Sequence, residues 1–406
     1  MSVNNKVPEI RFKGFSGEWE NLTLGDLGSV AMNKRIFKHQ TTITGDVPFF
    51  KIGTFGKQPD AFINKALFDE YKAKYPYPVA GDLLLSASGS IGRVVEYKGE
   101  DQYFQDSNIV WLKHDGKIDN AFLKVFYSMV KWSGLEGSTI KRLYNKNILD
   151  TEISTPERQE QNVIGNYFQK LDSLINQHQQ KHDKLSNIKK AMLEKMFPKP
   201  GETVPEIRFK GFSGEWVENN LGELIDIRSA ARVHKEQWTE AGVPFFRTSD
   251  VVSIYKGQEN TKAYISHEIY HGLSEKIGKV TKDDLLITGG GSIGIPYLVP
   301  NDSPLYFKDA DLLWLKNNEK FNGYFLYTFF FSVSFKQHIK SISHTGTIAH
   351  YTIEQAKATP INTCSDEEQT AIGNYFQKLD ALINQHQQQI AKLNNIKQAC
   401  LSKMFI

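Results

Sequence analysis

Three kinds of stretch in this 406-residue chain combine residue types that could do chemistry. The first is Gly289-Gly290-Gly291-Ser292-Ile293-Gly294, which has GxGxxG spacing. Ahead of a helix, that spacing lets backbone N–H groups and the helix dipole hold a dinucleotide or a methyl donor. Here Pro296 and Pro300 follow in IPYLVP, where such a helix would have to start, and a matching stretch earlier in the chain has Ala87 in place of the first glycine. A tight turn is the better reading. The second is Pro59-Asp60 followed by Glu70-Tyr71-Lys72, which imitates a nuclease core: two carboxylates for Mg²⁺ and a lysine beside the attacked phosphate. Its counterpart ENTKAYISHEIY lacks both the Pro–Asp pair and the Glu-x-Lys, which favours coincidence.

The third kind is polar and basic. Lys34 and Arg35 have a rough match in Arg232 and Lys235. Ser88, Ser90 and Arg93, with Ser292 later on, lie in glycine-containing turns. Ser138, Thr139, Lys141 and Arg142 fall in one polar stretch, and Thr345, Thr347 and His350 fall in its counterpart. Donors on loops, with cations nearby, are what reading base edges and holding phosphates requires. The chain has no GxxxxGK[ST] phosphate loop, no Asn/Asp-Pro-Pro-aromatic motif for a target base, and no coherent nucleophile–base arrangement. It reads as a binding and scaffolding chain, with no catalytic residue, no metal site and no cofactor of its own.

These stretches come in pairs because the chain repeats itself. VPEIRFKGFSGEW at 7–19 returns at 204–216, VPFF at 47–50 returns at 243–246, and GSIG at 89–92 returns at 291–294. Trp111-Leu112-Lys113 is matched by Trp314-Leu315-Lys316. Ile164–Asp172 recurs unchanged at Ile372–Asp380, and 26 of 34 positions are identical between 164–197 and 372–405. Each half therefore holds a variable body and a nearly constant C-terminal segment. Short β-branched and aromatic runs between glycine-rich turns make the bodies α+β. Asp82–Ser86 and Asp284–Thr288 read as buried strands, and Phe122–Trp132 and Phe325–Phe335 as helices.

The constant segments, 158–196 and 366–404, read as long helices. Phe168, Leu171, Ile175, His178, His182, Leu185, Lys189, Met192 and Met196 alternate spacings of three and four. So do Phe376, Leu379, Ile383, His386, Ile390, Leu393, Lys397, Cys400 and Met404. That is a coiled-coil seam, and the simplest partner for each copy is the other. Leu174, Ile188, Leu382 and Ile396 widen the apolar stripe, towards either a second protein or the adjacent body. The seam histidines have no carboxylate or cysteine cluster in register, so packing rather than metal binding is expected. The first helix would reach about 58 Å at 1.5 Å per residue. The seven-residue link FPKPGET spans at most about 25 Å, which makes an antiparallel pair the economical arrangement.

Composition is that of a folded, multidomain protein: 40% apolar, 23% charged and net charge +3, which permits nucleic-acid binding without arguing for it. No apolar run is long enough to span a membrane, the start of the chain has no export pattern, and only Cys364 and Cys400 are present. A reducing, cytoplasmic setting is expected.

In order and duplication, the motifs resemble those of specificity subunits of type I restriction–modification systems. The resemblance covers essentially the whole chain. It rests on Trp19…Leu24-Gly25-Asp26-Leu27 and Trp216…Leu221-Gly222-Glu223-Leu224, the VPFF runs, the GSIG turns, and the EQ-x-x-IGNYF helix starts at Glu160-Gln161 and Glu368-Gln369. The resemblance implies two pseudo-twofold related α/β target recognition domains separated by a long antiparallel two-helix coiled coil. The expected boundaries are 1–155 for the first domain, 156–197 for the first spacer helix, 198–362 for the second domain with its linker 198–204, and 363–406 for the second helix. Each domain would read one half of a bipartite sequence in double-stranded DNA, and the helices would set the unspecified base pairs between the halves. Two modification (methyltransferase) subunits would dock and bring S-adenosylmethionine. Restriction subunits would bring ATP- and Mg²⁺-dependent translocation and cleavage. Base-reading positions vary within the family and do not transfer. A two-headed protein scaffold and a stand-alone Mg²⁺-dependent endonuclease are the rival readings.

Overall fold

The structure, a computed structural model, describes residues 7–132, 141–342 and 350–405. It separates into two compact units. One comprises Met1–His178 with Gln389–Ile406, and the other Gln179–Gln388.

In the first unit a four-stranded antiparallel sheet runs in the order Ser29–Ala31, Ile109–Lys113, Leu83–Ser86, Val94–Glu96. Leu83–Ser86 is buried throughout, which explains its unbroken apolar run. A second sheet joins Phe62–Ile63, Val47–Phe50 and Tyr103–Phe104, the last pair being parallel. A third pairs Glu20–Thr23 with Glu152–Thr155, so the start and end of the body lie side by side.

The second unit repeats this plan. Asp226–Arg228, Leu312–Lys316, Leu285–Thr288 and Pro296–Leu298 form its four-stranded sheet, and Val217–Asn220 pairs with Pro360–Thr363. Among the described residues three elements have no counterpart in the first body: the strand Trp238–Thr239, the helix Thr248–Lys256 and the helix Val333–Ile342. One expectation needs correcting. The run 325–335 is not one helix, because Gly323–Phe329 ends in a tight turn and Val333–Ile342 begins anew. The Ser332 hydroxyl accepts from the Phe335 amide at 3.2 Å, an N-cap that restarts the helix. In the first body the corresponding helix is Asn120–Met129.

The long helices are Arg158–Lys195 and Asp366–Met404. The unit division runs through both, away from the expected domain boundaries, because each body draws helix residues into its own core. Phe168, Leu171 and Met404 belong to the first body's core; Met196, Phe197, Phe376 and Leu379 belong to the second. Within the first unit Tyr167 meets Cys400, and the Lys397 ammonium lies 2.6 Å from Asp172. Within the second, Lys189 reaches Asp380 at 2.5 Å while Phe197 packs on Phe376. In each unit, then, the helices run in opposite directions. Ile175, His178, Leu185, Met192, Ile383, His386, Leu393 and Cys400 are all half-buried, whereas the flanking Asn176, Gln177 and Gln385 are exposed.

The repeated opening motif closes each unit. Arg11 makes two hydrogen bonds to the Glu160 carboxylate, at 2.8 and 2.6 Å, and donates to the Gly17 carbonyl at 2.6 Å. Arg208 does the same with Glu368, at 2.8 and 2.6 Å, and with Gly214. Both carboxylates are buried. The hydrogen bonds to these carboxylates hold both guanidinium pKa values above the ordinary arginine value. The adjacent Ile10 amide donates to Lys403 O and the Ile207 amide to Lys195 O, each at 2.9 Å. One arm thus fastens the start of one helix to the end of the other. Trp19 then packs on Phe122 and Phe405, as Trp216 packs on Phe325 and Phe197.

The other half of each EQ pair reaches the body. Gln161 accepts from the Asp119 amide at 2.9 Å and Gln369 from the Asn322 amide at 3.3 Å. The next helical turn carries a glycine because the body comes so close. A Cβ on Gly165 would lie 2.7 Å from the Phe122 nitrogen, and one on Gly373 would lie 2.1 Å from Asn322 Oδ1.

Candidate nucleic-acid interface

Each GSIG stretch is the turn of an antiparallel hairpin, not a helix-capping loop. Leu285–Thr288 pairs back onto Pro296–Leu298, and Leu83–Ser86 onto Val94–Glu96. Gly291 and Gly294 adopt φ of 71° and 77°, and Gly89 and Gly92 of 64° and 84°, the left-handed region that favours glycine. A hydroxyl braces each turn. Ser86 Oγ accepts from the Arg93 amide at 2.9 Å, and Thr288 Oγ1 from the Ile295 amide at 2.9 Å. No helix starts here to meet a phosphate, so the dinucleotide reading fails on geometry.

The nuclease-like residues do not converge. Asp60 pairs with Lys51 at 2.9 Å, Glu70 with Lys74 at 3.0 Å, and Lys72 with Asp101 at 3.3 Å. Among the described residues there is no group of three or more His, Cys, Asp or Glu side chains able to hold a metal ion. Nor is any described helix long and apolar enough to cross a membrane.

Several of the expected polar residues do come together. In the first body they gather on the short turn Asp106-Ser107-Asn108. Arg35 Nε reaches Asp106 at 2.8 Å, Arg142 donates to the Ser107 carbonyl at 2.9 Å, and the Ser88 hydroxyl donates to Asn108 Oδ1 at 2.7 Å. Ser88 and Arg142 also form a β-bridge, with Ala87 tied to Asn108 on one side and Leu143 on the other. Ser90 lies exposed at the tip of the hairpin turn. Lys141 is exposed beside Arg142. Arg93 and Lys34 turn elsewhere: Arg93 donates to the Phe55 carbonyl at 2.8 Å, and the Lys34 ammonium sits 5.0 Å above the Tyr75 ring.

The second body builds the same frame around Asp309-Ala310-Asp311. Arg232 lies 3.3 Å from Asp309, Gly289 is tied to Asp311 and to Tyr351, and Gly290 bridges His350. Ser292 and His350 are exposed. Lys235 opens the separate short turn Lys235–Gln237, also exposed. Ser138, Thr139, Thr345 and Thr347 lie outside the described residues.

The two organising turns were missed by sequence reasoning. Their middle residues, Ser107 and Ala310, are left-handed at φ of 54° and 62° without being glycine. Gln105 and Lys308 donate back to Phe50 and Phe246 in matching fashion. A signal was available: YFQDSN and YFKDAD precede the matched Trp-Leu-Lys runs at the same distance.

Comparison with known proteins bears on what such a frame is for. A family model described as the type I restriction modification DNA specificity domain matches the chain twice, over residues 16–187 and 213–395. The chain is similar to a putative type I restriction enzyme specificity subunit of Haemophilus influenzae, 53% identical over 156 residues, which is 38% of this chain and 40% of that protein. It is also similar to the type I restriction enzyme MjaVIII specificity subunit of Methanocaldococcus jannaschii, 22% identical over 270 residues, covering 65% of this chain and 61% of the relative. Both alignments thus leave more than a third of the relative's length unmatched. A crystal structure of the S subunit of a type I restriction–modification system from M. genitalium shares the fold, with a TM-score of 0.60 at 18% identity over 98% of this chain and 99% of that one.

Proposed function

The chain belongs to the type I restriction–modification DNA specificity family, and we propose that its two target recognition domains each read one half of a bipartite sequence in double-stranded DNA. It does so without catalytic chemistry of its own. Two modification subunits supply S-adenosylmethionine and methyl transfer, and restriction subunits supply the ATP- and Mg²⁺-dependent steps. This chain decides where they act.

The observation that carries the reading is the matched frame with unlike tips. In both bodies an arginine, a hairpin turn and a pre-helix segment converge on one left-handed turn. The support is the same, and the residues at the tips differ: Ser107 and Asn108, with Ser88 buried behind them, against Ala310 and Asp311, with Gly290 behind them. A pair of readers for one identical half-site would have no need of that difference. Exposed lysines and arginines around the turns suit phosphate contacts, which position a protein on a duplex without reading its sequence.

The long helices set the number of unspecified base pairs between the half-sites. Seven residues inserted into both helices, after Gln180 and after Gln388, preserve the 3.5-residue seam and add about 10 Å. That is roughly three base pairs at 3.4 Å each. Methylation mapping of the assembled complex should show both half-sites unchanged and the gap between them lengthened. Altered half-sites at constant spacing would count against the proposal.

A further inference from the structure

We propose that Asn108 and Asp311 are base-reading residues, one in each target recognition domain, with Asn108 taking an adenine and Asp311 the amino group of a cytosine. This rests on the bipartite reading above and names where it is executed. The two residues occupy the same place. Each is the last residue of its left-handed turn, each amide donates to the carbonyl two residues earlier, at 2.6 Å from Asn108 and 2.7 Å from Asp311, and each turn leads into the strand ending in Trp-Leu-Lys. Neither side chain is buried.

The difference between them is coupled to their neighbours. In the first body Asn108 Oδ1 accepts from Ser88 Oγ at 2.7 Å, which fixes the amide's orientation. In the second body the position of Ser88 is Gly290, and Asp311 is held from the other side by Lys308 at 2.6 Å. Two positions have therefore changed together, and each tip is braced for the side chain it carries. An oriented amide offers a donor and an acceptor side by side, which matches N7 and N6 of adenine in the major groove; a carboxylate offers acceptors alone, which matches the cytosine N4 amino group. The frame residues Asp106 and Asp309 carry no such difference, since each is engaged by its arginine. A Cβ on Gly290 would meet Asp311 Oδ1 at 3.6 Å, ordinary contact distance, so the Ser–Asn pair fits the second body too.

The test uses the chain assembled with its modification subunits and a randomised pool of duplexes, sequencing those that the complex captures. Asn108→Asp should move or relax the preference at one base pair of one half-site by about tenfold or more, leaving the other half-site and the spacing intact. Asp311→Asn should do the converse in the other half-site. The paired exchanges Ser88→Gly with Asn108→Asp, and Gly290→Ser with Asp311→Asn, keep each brace with its tip and decide the matter if a single variant fails to assemble. Unchanged preferences throughout, or a uniform weakening across a whole half-site, would overturn the assignment. A wild-type pool with no two-part target would overturn the bipartite reading itself, and this assignment with it.

Discussion

Both bodies close a cleft against the long helices, and they line it differently. In the first unit, Ala121, Lys124 and Ser128 face Gln169 and Asp172, with Lys124 paired to Glu96 at 3.0 Å. In the second, the matching positions are Tyr324, Tyr327 and Phe331, facing Gln377 and Asp380. These rings form a ladder, 5.3 Å from Tyr324 to Tyr327 and 5.1 Å on to Phe331, with the exposed Tyr255 stacked on Phe331 at 5.9 Å. The helix floor does not follow the change: Asp172 pairs with Lys397 as Asp380 pairs with Lys189. In this cleft the divergence lies on the body side, and the helix-side pairs Asp172–Lys397 and Asp380–Lys189 are held constant. A subunit whose heads must differ while their mounts stay interchangeable would diverge in this way.

The largest effects should come from the shared mount, and should be equal in the two halves. Glu160→Ala or Glu368→Ala leaves a mostly buried guanidinium without its carboxylate, which costs about 3 kcal/mol or more. Urea unfolding should show the same loss for both; a clear inequality would break the equivalence of the halves. Gly165→Ala and Gly373→Ala force the body away from the helix and should cost about 1–3 kcal/mol each.

A smaller effect should separate the halves. Tyr324 donates to Asp380 at 2.7 Å, and its counterpart Ala121 has no such bond to make. Tyr324→Phe should lose about 1.5 kcal/mol at neutral pH. Burial first, and then the Asp380 charge, raise the Tyr324 phenol well above the ordinary tyrosine range. The folded state therefore keeps a proton that the unfolded state gives up above pH ~10, so this side chain's stabilisation is present below that pH and is lost as pH climbs past it. The stability gap between wild type and Tyr324→Phe should shrink in the alkaline range; a constant gap would show that the phenol is not protected. Smallest in stability are Arg35→Ala and Arg232→Ala, expected to change it by less than about 0.5 kcal/mol because both ion pairs are exposed. Each should nonetheless reduce the salt dependence of duplex binding by about one phosphate contact.

Much of the fold was legible in the sequence because its signals are local or repeated. The seam spacing put the helices at 158–196 and 366–404 against the observed Arg158–Lys195 and Asp366–Met404. The all-apolar runs before GSIG are buried central strands. What escaped depends on residues far apart in the chain. Arg11 and Glu160 are 149 positions apart, and nothing in either neighbourhood announces the pair. Thr248–Lys256 forms a helix where the first body has only turns, because Asp250 accepts from the Arg247 amide at 2.8 Å and nucleates it. The candidate interface was half legible. Ser88, Arg142 and Arg35 were visible as polar types, but the Asp106-Ser107-Asn108 turn that collects them was not, since its left-handed serine carries no glycine to mark it.

The most direct test is a methylation map of DNA exposed to the wild-type chain and its modification subunits. Two short, unlike half-sites separated by a fixed run of unspecified base pairs are the predicted result. A single uninterrupted target, or two identical halves, would contradict it.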